Sequence, residues 1–401
     1  MTQAGVHREI PEDFDPAGSD DPVEVHRMYR ELRDRCPVAF SEAHGGFWAL
    51  TRYEDVKAAA LDDTTFRSSV KAVVPSDPRG LRRPPLNFDA PDHKPFRHAL
   101  DATLSRRRLQ ALEPALRRHA VDQLAPLLAA GGGDIAQEFG ARFPAWVTTE
   151  WLNLDPDLAP VLARTAARWV QAWRSQDRDV VNAMSERMYR MARDLVADRR
   201  RSPRPVTEDP ASSLLAERVD GEPLPEEHVV GALRQSLVVG MVAPPIVIGS
   251  IALHLAEDQD LQQRLRAEPA LIPTALEEFL RLYSPYRGFA RTAATPVRIR
   301  GREILPGEPI TLTYASANRD ASVFPDPDTF VLERDNIADH LAFGRGRHRC
   351  PGAAMARLML RIALEELLGR TRSFTAEGRR EGARMPELGV VSVELTLVPA
   401  D

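Results

Sequence analysis

Residues 236–256 contain no Lys, Arg, Asp or Glu, an uncharged run of 21 residues in a chain whose charged content is 28%. A run of that length meets the threshold of roughly 18 to 20 residues for crossing a bilayer. It must therefore either span a membrane or be enclosed by protein on all sides. The run is solitary, holds Pro244 and Pro245, and leads into the amphipathic segment 258–269. These features favour a helix buried at the centre of a large protein. A chain of 401 residues, 43% apolar, is long enough to supply the surrounding core as one or two closely packed units.

The other global features narrow the setting. The N-terminal 22 residues are polar and acidic and lack the apolar stretch of a signal peptide. Cys36 and Cys350 are the two cysteines and lie far apart in sequence, which speaks against a disulfide framework and for a reducing, cytoplasmic location. A net charge of −5 without a long basic block gives no support for a nucleic-acid partner.

Along the chain, residues 1–24 read as a flexible arm, followed by a short helix that Pro37 ends. Residues 47–62 predict a strand, a turn and a helix. Residues 73–91 are rich in Pro and Arg without a regular period, which predicts a long loop of functional type. Helical character dominates from about 93 to 275, with breaks near 130–135, 201–210 and 221–227. After Pro285 short alternating runs with Gly and Pro turns predict strands. The reading is a mainly α chain with a smaller β-rich part.

The segment from His340 to Gly352 carries Phe343, Gly344, Gly346, His348 and Cys350 and runs directly into an Ala/Met/Leu-rich helix. A cysteine where a glycine-shaped turn meets a helix start is a candidate axial ligand for haem iron, because helix-start amides can hydrogen-bond the sulfur and stabilise its thiolate. A lone cysteine is more commonly a small buried apolar residue. The neighbouring glycines, histidine and arginines shift that balance.

On these residues the chain resembles the soluble bacterial cytochromes P450 over essentially its whole length. Phe343, Gly346, His348, Cys350 and Gly352 match the family's haem-binding signature, with Arg345 and Arg347 between them. The resemblance implies a triangular helical body around a buried haem b (iron protoporphyrin IX), a single catalytic domain over 25–401, and Cys350 as the iron ligand. It also implies that Glu278 and Arg281, together with Arg334, form a buried structural network locking the segment before the cysteine loop, rather than a surface pair. In the motif from Asp89 to Arg97, His93 and Arg97 fall on one helical face. With Arg291 and His348 they are implied to hold the haem propionates.

The family's central helix carries an acid and an alcohol beside the oxygen-binding face. Here the matching stretch is Val239, Gly240, Met241, Val242, Ala243, Pro244 and Pro245, with Val242 in place of the acid and Ala243 in place of the alcohol. Neither can donate a proton. Pro244 and Pro245 remove backbone donors and predict a kink at Gly240 and Met241, which either organises water or simply widens the pocket. Met241, Val242, Tyr286 and Phe289 are expected to line an apolar pocket, and Arg287 faces either into it, toward a substrate anion, or outward. Arg106–Arg108 and the Arg345, Arg347, Arg349 series are candidates for meeting an acidic ferredoxin or flavodoxin, itself served by a reductase.

The reading that results is a haem-thiolate monooxygenase acting on a small or medium apolar organic substrate by hydroxylation or oxidative dealkylation. The alternatives are a peroxide-driven peroxygenase, a haem-thiolate enzyme of coupling, isomerisation or dehydration, and a non-catalytic haem-linked binder.

Overall fold

A computed structural model describes residues 12–70, 74 and 82–400. Its helices are α1 (Pro22–Arg35), α2 (Tyr53–Leu61), α3 (His93–Ala102), α4 (Arg106–Ala130), α5 (Phe143–Trp151), α6 (Leu158–Arg174), α7 (Arg178–Arg201) and α8 (Pro210–Ala216). They continue as α9 (Glu226–Val239), α10 (Ala243–Glu257), α11 (Gln259–Ala267), α12 (Ile272–Leu282), α13 (Tyr314–Ala317) and α14 (Ala353–Arg370). The predicted boundaries have local causes. The Asp21 carboxylate accepts from the Val23 N–H at 2.9 Å to start α1, which stops short of Pro37. Gly131, at φ 73°, ends α4 in the left-handed conformation that favours glycine.

The uncharged run forms the end of α9 and nearly all of α10. The two form one span from 226 to 257 that is long and apolar enough to cross a membrane, yet 78% of its most apolar window is buried inside the protein. Where the sequence predicts a kink, the structure has a full break over 240–242. Pro244 and Pro245 fall in the first turn of α10, where backbone N–H groups have no intrahelical partner to lose. α10 packs in one apolar cluster with α4, α12 and α14, including Leu116, Ile251, Phe279 and Ile362. α6 and α7 lie over α9 and place Trp169, Val170 and Met188 against Val238 and Val242.

A five-stranded sheet in the order β1 (Val38–Ser41), β2 (Phe47–Leu50), β10 (Pro309–Leu312), β7 (Phe289–Ala293), β3 (Phe66–Arg67) forms the strand-rich part. β10 runs parallel to β2 with Ile310 opposite Trp48, and antiparallel to β7 with Ile310 opposite Arg291. A second sheet joins β4 (Gly132–Asp134), β12 (Val390–Pro399) and β11 (Thr371–Gly382). The short pairs β5–β6 (Arg218–Val219, Glu222–Pro223) and β8–β9 (Val297–Ile299, Arg302–Ile304) complete the strands.

Two predicted segments meet the limits of the described residues. Residues 12–21 of the expected N-terminal arm are packed: the Asp13 N–H donates to Phe40 O at 2.8 Å, and Phe14 meets Phe47 edge to face. In the predicted loop of 73–91, residues 82–91 form turns without a helix or strand, whereas 73 and 75–81 lie outside the described residues.

Candidate functional site

Cys350 closes a loop whose shape the glycines fix. Its N–H donates to the Phe343 carbonyl at 2.8 Å. Gly346 sits at φ 70°, and a Cβ there would come 2.4 Å from the Ala60 carbonyl oxygen, so only glycine lets the loop rest on α2. The Gly352 N–H, immediately before α14, hydrogen-bonds the sulfur. Burial pushes the Cys350 thiol above its ordinary value, while that N–H and then Arg97, Arg349 and Arg357 pull it down toward the thiolate.

A proximal brace holds this loop, and sequence reasoning missed it. The Arg357 guanidinium lies over the Phe343 ring at 4.6 Å and donates to both Glu277 carboxylate oxygens at 2.6 and 2.7 Å. The His340 ring joins Glu277 at 3.0 Å. Burial alone would raise the Glu277 carboxyl, but its bonds to Arg357 and His340 prevail and hold it at about 2. One signal was available in the sequence: Arg357 falls one turn into the helix that follows the cysteine.

The neighbouring Glu278 forms the expected network. It accepts from Arg281 at 2.7 and 2.8 Å, from Arg334 Nε at 3.1 Å and from the Val331 N–H at 3.0 Å. Arg281 also donates to the carbonyls of Asn318 and Pro327, at 2.8 and 2.7 Å. Asn318 passes this order to the cysteine loop by accepting from the Leu341 N–H at 2.6 Å. A buried charge pair this fully hydrogen-bonded is a rigid strut.

On the other side of the loop the expected cationic residues converge. The rings of His93 and His348 stand 4.5 Å apart, and Arg291 is near enough to oppose protonation of His348. His348 Nε2 is buried without a hydrogen-bond partner; Asp89 lies 3.8 Å away, too far to serve. Arg97 donates to the carbonyls of Arg349 and Arg347 at 2.5 and 3.4 Å, so it ties α3 to the cysteine loop as well as facing it. Burial and then the neighbouring cations His348, Arg97 and Arg347 lower His93 to about 4. Arg291 on β7 is buried and bonded to the Ala290 carbonyl. Four basic side chains, an orphaned imidazole nitrogen and an amide-bonded sulfur form a donor set that fits a porphyrin with two carboxylates and a thiolate-ligated iron.

The distal residues divide between buried and partly open positions. Met241 and Val242 are buried in packing clusters: Met241 joins Phe96 and Leu237, and Val242 joins Trp169 and Val238, with Tyr286 packed against the same cluster. Gly240 backs onto α5, where an added Cβ would lie 3.2 Å from Thr148 Oγ1. The open side of the segment belongs to Val239, 49% exposed, with Ala243 and Gly240 partly accessible and Pro244 buried. Tyr286 and Phe289 are partly open with their rings 5.0 Å apart, as a pocket wall requires.

Arg287 takes neither predicted direction. It is buried and donates to the carbonyls of Pro16 at 2.6 Å, Ser19 at 3.1 Å and Glu387 at 3.3 Å, so it clasps the N-terminal segment and is not a substrate ligand. Sequence could not disclose this, because the acceptors are backbone atoms of a distant segment.

A family model described as Cytochrome P450 matches residues 147–396. The chain is 29% identical over 393 residues to linalool 8-monooxygenase of Pseudomonas putida, covering 93% of this chain and 96% of that protein. It is 31% identical over 355 residues to mycinamicin IV hydroxylase/epoxidase of Micromonospora griseorubida, covering 85% and 87%. The solved structure of cytochrome P450 CYP109Q5 from Chondromyces apiculatus is similar with a TM-score of 0.83 at 28% identity, covering 94% of this chain and 95% of that one.

Proposed function

Because the chain belongs to the cytochrome P450 family of haem-thiolate monooxygenases, with haem b as cofactor, we propose that it hydroxylates or oxidatively dealkylates a small or medium apolar organic substrate. The observation that carries this reading is the Cys350 sulfur held by the Gly352 N–H beside the His93, His348, Arg291 and Arg97 cluster. Haem, when bound, supplies the activation of O2 and the acceptance of electrons.

The protein's own residues do the rest. Cys350 would hold the haem iron as a thiolate, and the Gly352 amide with Arg97, Arg349 and Arg357 favours that anion against the burial that raises the thiol. The Glu277–Arg357–Phe343 brace and the Glu278–Arg281–Arg334 network hold the sulfur's loop in place. Arg291 and Arg97 would neutralise the propionates, with the His93 and His348 rings as hydrogen-bond donors beside them. Tyr286, Phe289 and Val239 offer an apolar wall that excludes water and orients the target C–H bond. The relatives named for oxygenating linalool and mycinamicin IV support an organic substrate of this kind.

Electrons come from an external partner. Arg106, Arg107 and, in the cysteine loop, Arg349 are exposed, and we assign them the positive charge that meets an acidic ferredoxin or flavodoxin. We place the enzyme in the cytoplasm as one catalytic domain over 25–401.

One observation favours a second reading, a peroxide-driven peroxygenase: Val242 and Ala243 cannot deliver protons, and Val242 is sealed among apolar side chains. Turnover with peroxide, compared with turnover on reductant, ferredoxin and O2, separates the two. Cys350→Ser is expected to abolish the thiolate-type ferrous–CO Soret band. Persistence of that band in the variant removes the thiolate assignment and the function with it.

A further inference from the structure

The Glu277–Arg357 brace carries charge as well as shape. Arg357 stands one turn into α14 and lays its guanidinium over the Phe343 ring at 4.6 Å. Phe343 is the residue whose carbonyl accepts from the Cys350 N–H at 2.8 Å. The cation therefore rests on a residue bonded to the cysteine, and it is one of the charges that favour the Cys350 thiolate. Glu277 meets the same loop further along the chain from the sulfur, at His340. The Ala342 N–H donates to His340 Nδ1 at 3.1 Å, which leaves the ring proton on Nε2 to donate to Glu277 at 3.0 Å. A neutral imidazole thus fixes the carboxylate without cancelling its charge.

The two members of the pair are held in different places relative to the cysteine. Arg357 turns one edge to Glu277, where Nε and Nη2 each bind one carboxylate oxygen at 2.6 and 2.7 Å, and lays its flat face on the Phe343 ring. Arg357 is 31% and Glu277 24% exposed, so solvent screens the pair only in part. Opposite charges at unequal distances do not cancel at the sulfur. The field there keeps the sign of the member that contacts the cysteine's own hydrogen-bond partner, which is Arg357, and Glu277 reduces it.

We infer that Arg357 and Glu277 are positioning residues that set the reduction potential of the bound haem, Arg357 raising it through the Phe343–Cys350 contact and Glu277 restraining it. This rests on the haem-thiolate reading above and deepens it. Reduction adds one electron, supplied by the external ferredoxin or flavodoxin, to a ferric centre whose sulfur ligand is already an anion. Positive charge beside that sulfur favours the ferrous form, and negative charge opposes it. The pair thereby fixes how readily the enzyme takes its first electron. A brace of the same shape without charge would hold the loop and leave the potential alone.

The test is a reductive titration of the haem-loaded protein with dithionite and mediator dyes, read at the Soret band. Glu277→Gln removes the anion and keeps an acceptor for Arg357, and its potential is expected to rise. Arg357→Met removes the cation and leaves the anion, and its potential is expected to fall. Each shift should amount to roughly a threefold or larger change in the ferrous-to-ferric ratio at one applied potential. The double variant lies between the two, and Arg357→Lys, which keeps the charge without the fork, stays closer to wild type than Arg357→Met does. Loosening of the loop does not give this pattern, because either substitution disturbs the same contact and moves the potential the same way. Arg357→Gln carries the prediction of the Met variant if that variant takes up no haem. Shifts of one sign in both single variants, or a potential equal to wild type in either, overturn the inference. The ferrous–CO band recorded on wild type keeps the two claims apart: a thiolate-type band without the opposed shifts rejects the tuning alone, and its absence rejects the underlying function.

Discussion

His93 on α3 and His348 in the cysteine loop place their rings 4.5 Å apart at 67°, with Nε2 of His348 buried and unbonded. The pair joins two segments that the sequence holds far apart, and it leaves nitrogen donors available in a cationic setting. The same contact explains why His93 resists protonation, since burial and then the charge of His348 both act against it.

If these imidazoles bind propionates, His93→Phe preserves the ring contact and removes the donor. Release of haem to an excess of apomyoglobin is expected to accelerate by roughly ten- to a hundredfold, the cost of one hydrogen bond to a charged group. A release rate equal to wild type would show that the histidine pair only packs.

Arg287 gives the opposite kind of expectation. Since its three bonds go to Pro16, Ser19 and Glu387, Arg287→Ala should leave the affinities of neutral and anionic ligands alike within about twofold. Limited proteolysis of the N-terminal segment should quicken, because the residues that fasten it lose their clasp. Weakened ligand binding with an unaltered cleavage rate would place Arg287 in the pocket after all.

Glu277 makes stability depend on acid. Its carboxyl is held at about 2, below its ordinary 4.5, by Arg357 and His340 against the effect of burial. A depressed folded value means that the stabilisation is fully present above about pH 4.5 and is lost as pH falls toward 2. The largest contribution is on the order of 3 kcal/mol. Urea unfolding across that window should therefore show a shallower loss of stability with falling pH in Arg357→Met than in wild type. Parallel pH profiles would separate the brace from acid stability.

Ala243 begins α10 beside the two prolines and is partly accessible. Ala243→Thr adds a hydroxyl where the segment has only methyl groups. We expect more product and less peroxide per reductant consumed, provided the missing alcohol limits proton delivery. Identical coupling in the two proteins would show that protons arrive by another route.

The cysteine loop and the buried Glu278–Arg281 network were legible through the family resemblance of their motifs, whereas local spacing by itself gave only that Glu278 and Arg281, like His93 and Arg97, share one helical face. The burial of 236–256 was legible too, since an uncharged run has few places to go. Tertiary structure alone decided which way the residues around the helix break would face, because turning a backbone by one residue sends Met241 and Val242 into different clusters and leaves Val239 open. It alone revealed the partners of Arg287 and Glu277. The reason is physical: a guanidinium on a long side chain takes its role from whichever carbonyls, carboxylates or rings the folded chain brings within about 3 Å of its N–H groups or beneath its plane, and those atoms come from segments that no local pattern connects.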